Sequence, residues 1–197
     1  MKKIILILLI SIYSVSSFSQ KKKTTKAVIA SPVLAKVDNL VVEVKSGSFQ
    51  LTINENGKPK DAIIVKAADA KFTPTDCKLV SFKASGATLY MLSWTEKYQT
   101  KTDLKTEDIT TIYSNVYDIA TKKQVFYNTQ LTNHIVEKVF LDRLKNASET
   151  QEKMRREGFE FFLNPDGTII QKNKTQENKW VYDVSKMEYL DAKKKKK

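Results

Sequence analysis

The feature that most constrains this fold is a series of segments in which apolar and polar residues alternate, separated by short turn sequences. In SFQLTINENGKPKDAIIVKA, every second residue from Phe49 to Ile53 is apolar, and NENGKP supplies the turn. A second pair of alternating arms flanks Ser85-Gly86. A period of two places alternate side chains on one face of a strand, and such turns join antiparallel neighbours. Both segments therefore predict β-hairpins.

The rest of the chain continues this pattern with interruptions. Residues 109–141 predict a long β stretch, with a turn in DIATKKQ and a further bend near Thr132-Asn133. The polar residues 100–108 predict a loop. NPDG, at 164–167, predicts a tight turn between two short strands, and KWVYDV predicts a last strand.

One segment predicts a helix. NASETQEKMRREG shows no alternation and consists mostly of residues that favour helices. Asn146 or Ser148 is placed to cap its N-terminus, and Gly158 is placed to end it. The sequence therefore predicts one late helix near 146–157.

Together these elements predict a mainly β fold, which would be α+β by strict count. About nine or ten strands, most joined by short turns, predict an antiparallel meander. Such a meander either closes into a barrel-like curved sheet or remains a curved sheet packed on the late helix.

The first nineteen residues have the pattern of a secretory signal peptide. Lys2 and Lys3 precede an apolar run, and small residues Ser17 and Ser19 stand where a signal peptidase cleaves before Gln20. We therefore expect export to the periplasm or the cell exterior. The alternative is a retained membrane anchor, although the serines shorten the apolar run below the roughly 20 residues that span a bilayer.

Basic tails flank the expected domain. Residues 20–36 predict a basic flexible arm, 37–191 a single β-rich domain, and 192–197 a lysine tail. The formal net charge is +12, but residues 27–192 hold 23 Lys and Arg against 22 Asp and Glu. The basic character therefore belongs to the tails and not to the domain.

The C-terminal tail is a candidate for loose association with an anionic envelope surface. A lysine run binds polyanions through counterion release, while the alternative is a solvated, disordered tail. The tails lack aromatic residues and arginine, which does not favour specific nucleic-acid recognition. The candidate residues are Lys193, Lys194, Lys195, Lys196 and Lys197.

The residue types that carry catalysis are sparse, and the sequence assigns no catalytic residue, metal ligand or cofactor. His134 is the single histidine, and a triad with Asp118 or Asp142 lacks a nucleophile motif. Cys77 is the single cysteine and is expected to be a small buried side chain, with a reactive thiol as the alternative. Carboxylates such as Glu107 and Asp108 keep a hydrolase as a minor alternative.

The aromatic residues supply the candidate ligand-binding patch. Tyr and Asn side chains suit adaptable recognition, because they lose little conformational entropy on binding. Packing within a core is the alternative for the same side chains. The candidates are Trp94, Tyr113, Asn115, Tyr117 and Tyr127.

We therefore expect an exported, non-enzymatic binding or interaction protein of the cell envelope. Its partner is an unidentified protein or a small apolar ligand. The second case corresponds to a lipocalin-like carrier, in which Phe82, Tyr90 and Leu92 would line an enclosed cavity.

Overall fold

All regular structure in the described part of the chain is β-strand. The computed structural model describes residues 32–69 and 71–193. It contains thirteen strands, more than the nine or ten expected, in three antiparallel sheets whose strands follow chain order. The predictions of a mainly β fold and an antiparallel meander are confirmed. The barrel-like alternative is wrong, because the first and last strands of each sheet remain unpaired edges.

The N-terminal sheet contains the first four strands. It includes the first predicted hairpin, whose turn is Asn56-Gly57, with positive φ at both residues. That backbone matches the twist of the flanking strands. The strands are β1 (Val33–Val37), β2 (Leu40–Lys45), β3 (Ser48–Glu55) and β4 (Lys58–Ala67).

The central sheet contains the next five strands of the chain. Its first two strands form the other predicted hairpin, around Ser85-Gly86. The turn predicted in DIATKKQ is also present, between the third and fourth strands. The strands are β5 (Thr75–Ala84), β6 (Ala87–Lys101), β7 (Lys105–Asp118), β8 (Lys123–Phe140) and β9 (Ser148–Gly158).

The C-terminal sheet is a meander of short strands. The predicted NPDG turn is present, since the Asn164 amide donates to the Thr168 carbonyl at 2.9 Å. The strands are β10 (Glu160–Leu163), β11 (Ile169–Lys172), β12 (Glu177–Asp183) and β13 (Glu188–Asp191).

Two cores lie on opposite faces of the central sheet. The first face carries Trp94 and packs on the N-terminal sheet through buried residues such as Phe49 and Leu51. The second face carries Phe126, which packs on the C-terminal sheet against Trp180 and Tyr189. Both cores bury mainly aliphatic and aromatic side chains, which is the largest favourable contribution to folding.

The long strands of the central sheet continue well beyond both cores. We call this continuation the platform, and none of its residues belongs to either core. Only Ile135 is buried among its residues, and the others are half-buried or exposed on both faces. The platform is therefore a single layer of sheet. It consists of residues 97–101 of β6, 105–112 of β7, 130–140 of β8 and 148–158 of β9.

The helix predicted near 146–157 is wrong, because this segment forms β9. It pairs with β8 in an unbroken antiparallel register from Phe140↔Ser148 to Gln130↔Gly158. Met154 is the single apolar side chain between Ser148 and Gly158, so a helix here would have no apolar face to bury. Pairing with β8 instead supplies backbone hydrogen bonds along one edge of the segment, and this tertiary contact overrides the helix propensity.

Part of the expected domain organisation lies outside the described residues. These parts are the leader 1–19, most of the arm and Lys194–Lys197. Residues 33–36, at the end of the predicted arm, belong to β1. Lys193 is described, and its amide donates to the Asp191 carboxylate at 2.9 Å.

None of the described residues forms a helix that is long and apolar enough to cross a membrane.

Candidate functional site

The five residues of the predicted patch all lie on the first face of the central sheet, but they do not form one exposed surface. Trp94, Asn115 and Tyr117 are buried, Tyr113 is half-buried, and Tyr127 is 53% exposed. The sheet register explains the shared face, because Trp94 pairs with Tyr113, and Asn115 pairs with Tyr127. Tyr127 is thus the member of the set whose side chain is most available to a partner.

Trp94 and Tyr113 belong to a packed cluster at the border of the N-terminal sheet. Their rings stack with centroids 4.7 Å apart, and the Trp94 indole N–H donates to Glu96 Oε1 at 2.8 Å. Lys66 Nζ donates to the other Glu96 oxygen at 2.7 Å and lies 5.5 Å from the centre of the Tyr113 ring. Burial raises the pKa of Tyr113, and the Glu96 carboxylate adds to this. The cluster joins β4 to the central sheet.

The buried residues Asn115 and Tyr117 hydrogen-bond to each other and to the exposed Gln124. The Asn115 amide donates to Tyr117 Oη at 3.2 Å and to Gln124 Oε1 at 3.3 Å. Burial raises the pKa of Tyr117, so its hydroxyl stays protonated and donates to Gln124 Oε1. These contacts fix the side chains inside the first core, where they specify the packing of β7 against β8.

The first face of the platform is held by ion pairs. Lys105 Nζ lies 2.9 Å from Glu107 Oε1, Lys153 pairs with Glu137, and the Asn133 amide donates to Glu107 at 3.3 Å. Ile135 lies between Glu107 and Lys153 in the sheet register and is 2% exposed. Because long charged side chains cover apolar surface with their methylene groups, this network replaces a core here.

Acidification should loosen the platform. Hydrogen bonds from Lys105 and Asn133 lower the pKa of Glu107, and Lys153 lowers that of Glu137. A carboxylate whose pKa is lower in the folded state stabilises the fold above its unfolded pKa. This stabilisation is lost as the pH falls through the folded pKa. We expect the melting temperature to fall as pH is lowered from about 5 to about 2.

The double variant Glu107→Gln, Glu137→Gln should show a shallower fall over the same range, measured by circular dichroism. An unchanged slope in this variant would contradict a role for these two pairs.

The second face of the platform carries more positive than negative charge. Its acidic side chains are Asp108 and Glu152, and both have partners: Gln99 donates to Asp108 at 2.6 Å, and Glu152 contacts His134. The cations of this face form no ion pair with any described residue. Those cations are Lys97, Lys101, Lys138 and Arg156.

His134 lies on this second face between two carboxylates. Its Nε2 contacts Glu152, and its Nδ1 lies 4.0 Å from Asp108 Oδ2. The partners suggested by the sequence lie elsewhere: Asp118 accepts from Thr121, and Asp142 accepts from the Asn146 amide. His134 therefore takes part in cross-strand pairing within the platform.

The adjacent carboxylates considered for a hydrolase point away from each other. Glu107 belongs to the first face of the platform and Asp108 to the second, because successive residues of a strand alternate. The described residues contain no group of three or more His, Cys, Asp or Glu side chains placed to hold a metal ion. Cys77 packs half-buried against the first core, and burial followed by the Asp76 charge raises the pKa of its thiol.

The side chains expected to line a carrier cavity belong to different cores. Leu92 is fully buried in the first core with Tyr90 packed against it, whereas Phe82 packs against the second core. The central sheet separates them, so these three residues do not line a shared space.

The charged second face was missed by the sequence analysis. Its cations come from three strands, and in the sequence they are mixed with acidic residues of the first face. The one signal that could have found them is the strand register, since alternation would have sorted Arg155 and Arg156 onto opposite faces.

Comparisons with protein-family models, with curated proteins and with solved structures found no match for this chain.

Proposed function

We propose that this protein is an exported, non-enzymatic binding protein of the cell envelope, and that the second face of the platform binds an anionic partner there. The observation that carries the proposal is the set of four cations on an uncovered sheet face, none of them in an ion pair with a described residue. A positive surface attracts an anionic partner and speeds their association.

The construction of the platform supports a role in binding. A single layer of sheet buries little apolar surface. Lengthening its strands therefore adds less to stability than packing a second layer against it would. The chain nevertheless extends four strands in this way and secures the first face with its own ion pairs. The second face, by contrast, keeps its cations available.

Export rests on the sequence of the leader, and the lysine tail adds to the same proposal. The tail follows directly after β13, and Lys193 to Lys197 would supplement binding to an anionic surface by about 1 kcal/mol per charge. The mass of the protein isolated from its own cells checks export, because cleavage predicts a chain that begins at Gln20. A chain that begins at Met1 would contradict cleavage of the leader.

Photo-crosslinking tests the binding face. Thr110 and Thr111 are adjacent half-buried residues of β7, and they lie on the second and first faces respectively. A photoreactive amino acid at position 110, introduced in the natural host, should give a crosslinked product. The same residue at 111 is the matched control and should give little.

The product from position 110 should also decrease when Lys97→Glu and Lys101→Glu are combined in the same chain. Equal crosslinking from both positions, or none from 110, would contradict the proposal.

A further inference from the structure

A cleft lies at the base of the platform, where the chain passes from β9 into β10. It is open to solvent, with a volume of about 820 Å³, and it lies between the end of β9 and the turn that joins β11 to β12. This volume falls within the range of roughly 300–1,000 Å³ that small-molecule sites have. Gly158 lines the cleft and has a φ of +78°, which bends the chain from one sheet to the next.

The opposite wall of the cleft is a fixed turn. Asn173 Oδ1 accepts hydrogen bonds from the amides of Thr175 at 3.0 Å and Gln176 at 2.8 Å. The Asn173 amide donates to the Gln176 carbonyl at 2.9 Å, which closes the turn a second time. The turn therefore holds Lys174 in place beside the cleft without using its side chain.

Cations from both walls line the cleft. Arg156 comes from the platform and Lys174 from the turn, and neither forms an ion pair within the described part of the chain. Lys172 also lines the cleft, but its Nζ lies 3.6 Å from Glu177 Oε2, which balances part of its charge. Arg156 and Lys174 are thus free to bind an anionic group, and a guanidinium can bind a carboxylate through two hydrogen bonds.

The remaining lining residues restrict the kind of anion. Glu160 also lines the cleft, so a ligand with closely spaced negative charges would meet repulsion. Its carboxylate and the Gln130 amide can hydrogen-bond hydroxyl groups. Met154 is 55% exposed and offers an apolar surface to the carbon face of a sugar ring.

We propose that this cleft binds an acidic oligosaccharide, with a sugar carboxylate held by Arg156 and Lys174. Such a ligand separates its negative charges by several hydroxyl groups, as the mixed lining requires. The inference deepens the proposed function, on which it rests, by naming the chemistry of the anionic partner. Arg156 belongs to both sites, so one sugar chain can continue from the cleft onto the second face of the platform.

Isothermal titration calorimetry of the chain from Gln20 to Lys197, the form that cleavage of the leader gives, tests the proposal. Trigalacturonate and a hyaluronan tetrasaccharide serve as acidic probes, maltotriose as the neutral probe and tripolyphosphate as the densely charged one. We expect at least one acidic sugar to bind with a Kd between about 10 μM and 1 mM, and more tightly than either other probe.

Single variants assign the binding to the cleft. Arg156→Ala and Lys174→Ala should each weaken binding of that sugar at least about tenfold, the loss expected for a charge-assisted hydrogen bond. Arg155→Ala is the matched control, because Arg155 precedes Arg156 on the same strand but lies on the first face. The Arg155→Ala variant should bind the acidic sugar with unchanged affinity.

Three results would overturn the inference: no binding of either acidic sugar up to roughly 10 mM, equal or tighter binding of maltotriose or tripolyphosphate, or an equal loss in Arg155→Ala. If crosslinking from position 110 persists in that case, the proposed function survives and the sugar chemistry alone is wrong. If both crosslinking from position 110 and sugar binding are absent, the proposed function and the sugar chemistry are both wrong.

Discussion

Replacing Gly158 by alanine should lower the free energy of unfolding by about 3 kcal/mol or more. A left-handed φ costs an L-residue about 1–2 kcal/mol, and overpacking adds about 1–3 kcal/mol. Gly158 has a φ of +78°, and a Cβ there would lie 2.1 Å from the Thr129 carbonyl oxygen. The obstacle is backbone of the adjacent strand, so no side-chain rotation can relieve it. Urea unfolding measured by circular dichroism gives the loss.

Two other glycines separate the cost of φ from the cost of the contact. Gly57 and Gly86 have φ of +74° and +87°, and a Cβ at either would meet nothing within 4 Å. Gly57→Ala and Gly86→Ala should therefore cost only the conformational penalty, about 1–2 kcal/mol. Equal losses in all three variants would show that the close approach to Thr129 contributes nothing.

The parts of the fold that the sequence predicted correctly are those where one face of a strand is buried. The hairpins around Asn56-Gly57 and Ser85-Gly86 carry apolar residues on the core side, and their turns have the expected residue types. Burial imposes a period of two on the sequence, and short-range turn chemistry fixes the register. Both signals are local, so a single sequence contains them.

Three errors of predicted secondary structure fall in the platform. Residues 100–108 were expected to be a loop, a bend was expected near Thr132-Asn133, and 146–157 was expected to be a helix. In the structure only residues 102–104 form a turn between β6 and β7, while the rest of the first segment is strand, and β8 runs through the second segment without interruption. Since neither face of a single-layer sheet is buried by another layer, burial imposes no apolar alternation. Its strands are specified by pairing between distant residues, which a sequence read alone does not reveal.

The candidate site shows the same limit. The patch candidates share one face of the central sheet, but the sequence could not tell buried members such as Tyr117 from exposed ones such as Tyr127. That distinction depends on where the N-terminal sheet ends over the first face. The cleft depends on the bend at Gly158, where the sequence predicted the end of a helix.

Replacing Trp94 by alanine should destabilise the protein by about 3–5 kcal/mol, the usual cost of removing a large buried aromatic side chain. Trp94 is 2% exposed, stacks on Tyr113 and meets the edge of Phe49 at 5.2 Å between ring centres. Its loss leaves a cavity between two sheets and removes the indole donor from Glu96. Urea unfolding can be followed through the fluorescence of Trp180, the one tryptophan that remains.

Tyr98→Ala is the matched control for this change. Tyr98 lies on the same strand and the same face, four residues further into the platform, and it is 65% exposed. Because few contacts are removed there, its cost should stay within about 0.5 kcal/mol. A loss in Trp94→Ala no larger than in Tyr98→Ala would contradict the assignment of Trp94 to the first core. A larger loss in Trp94→Ala would assign Trp94 to the packed core that supports the platform. Reduced binding in Trp94→Ala would then reflect instability and would not identify a ligand contact.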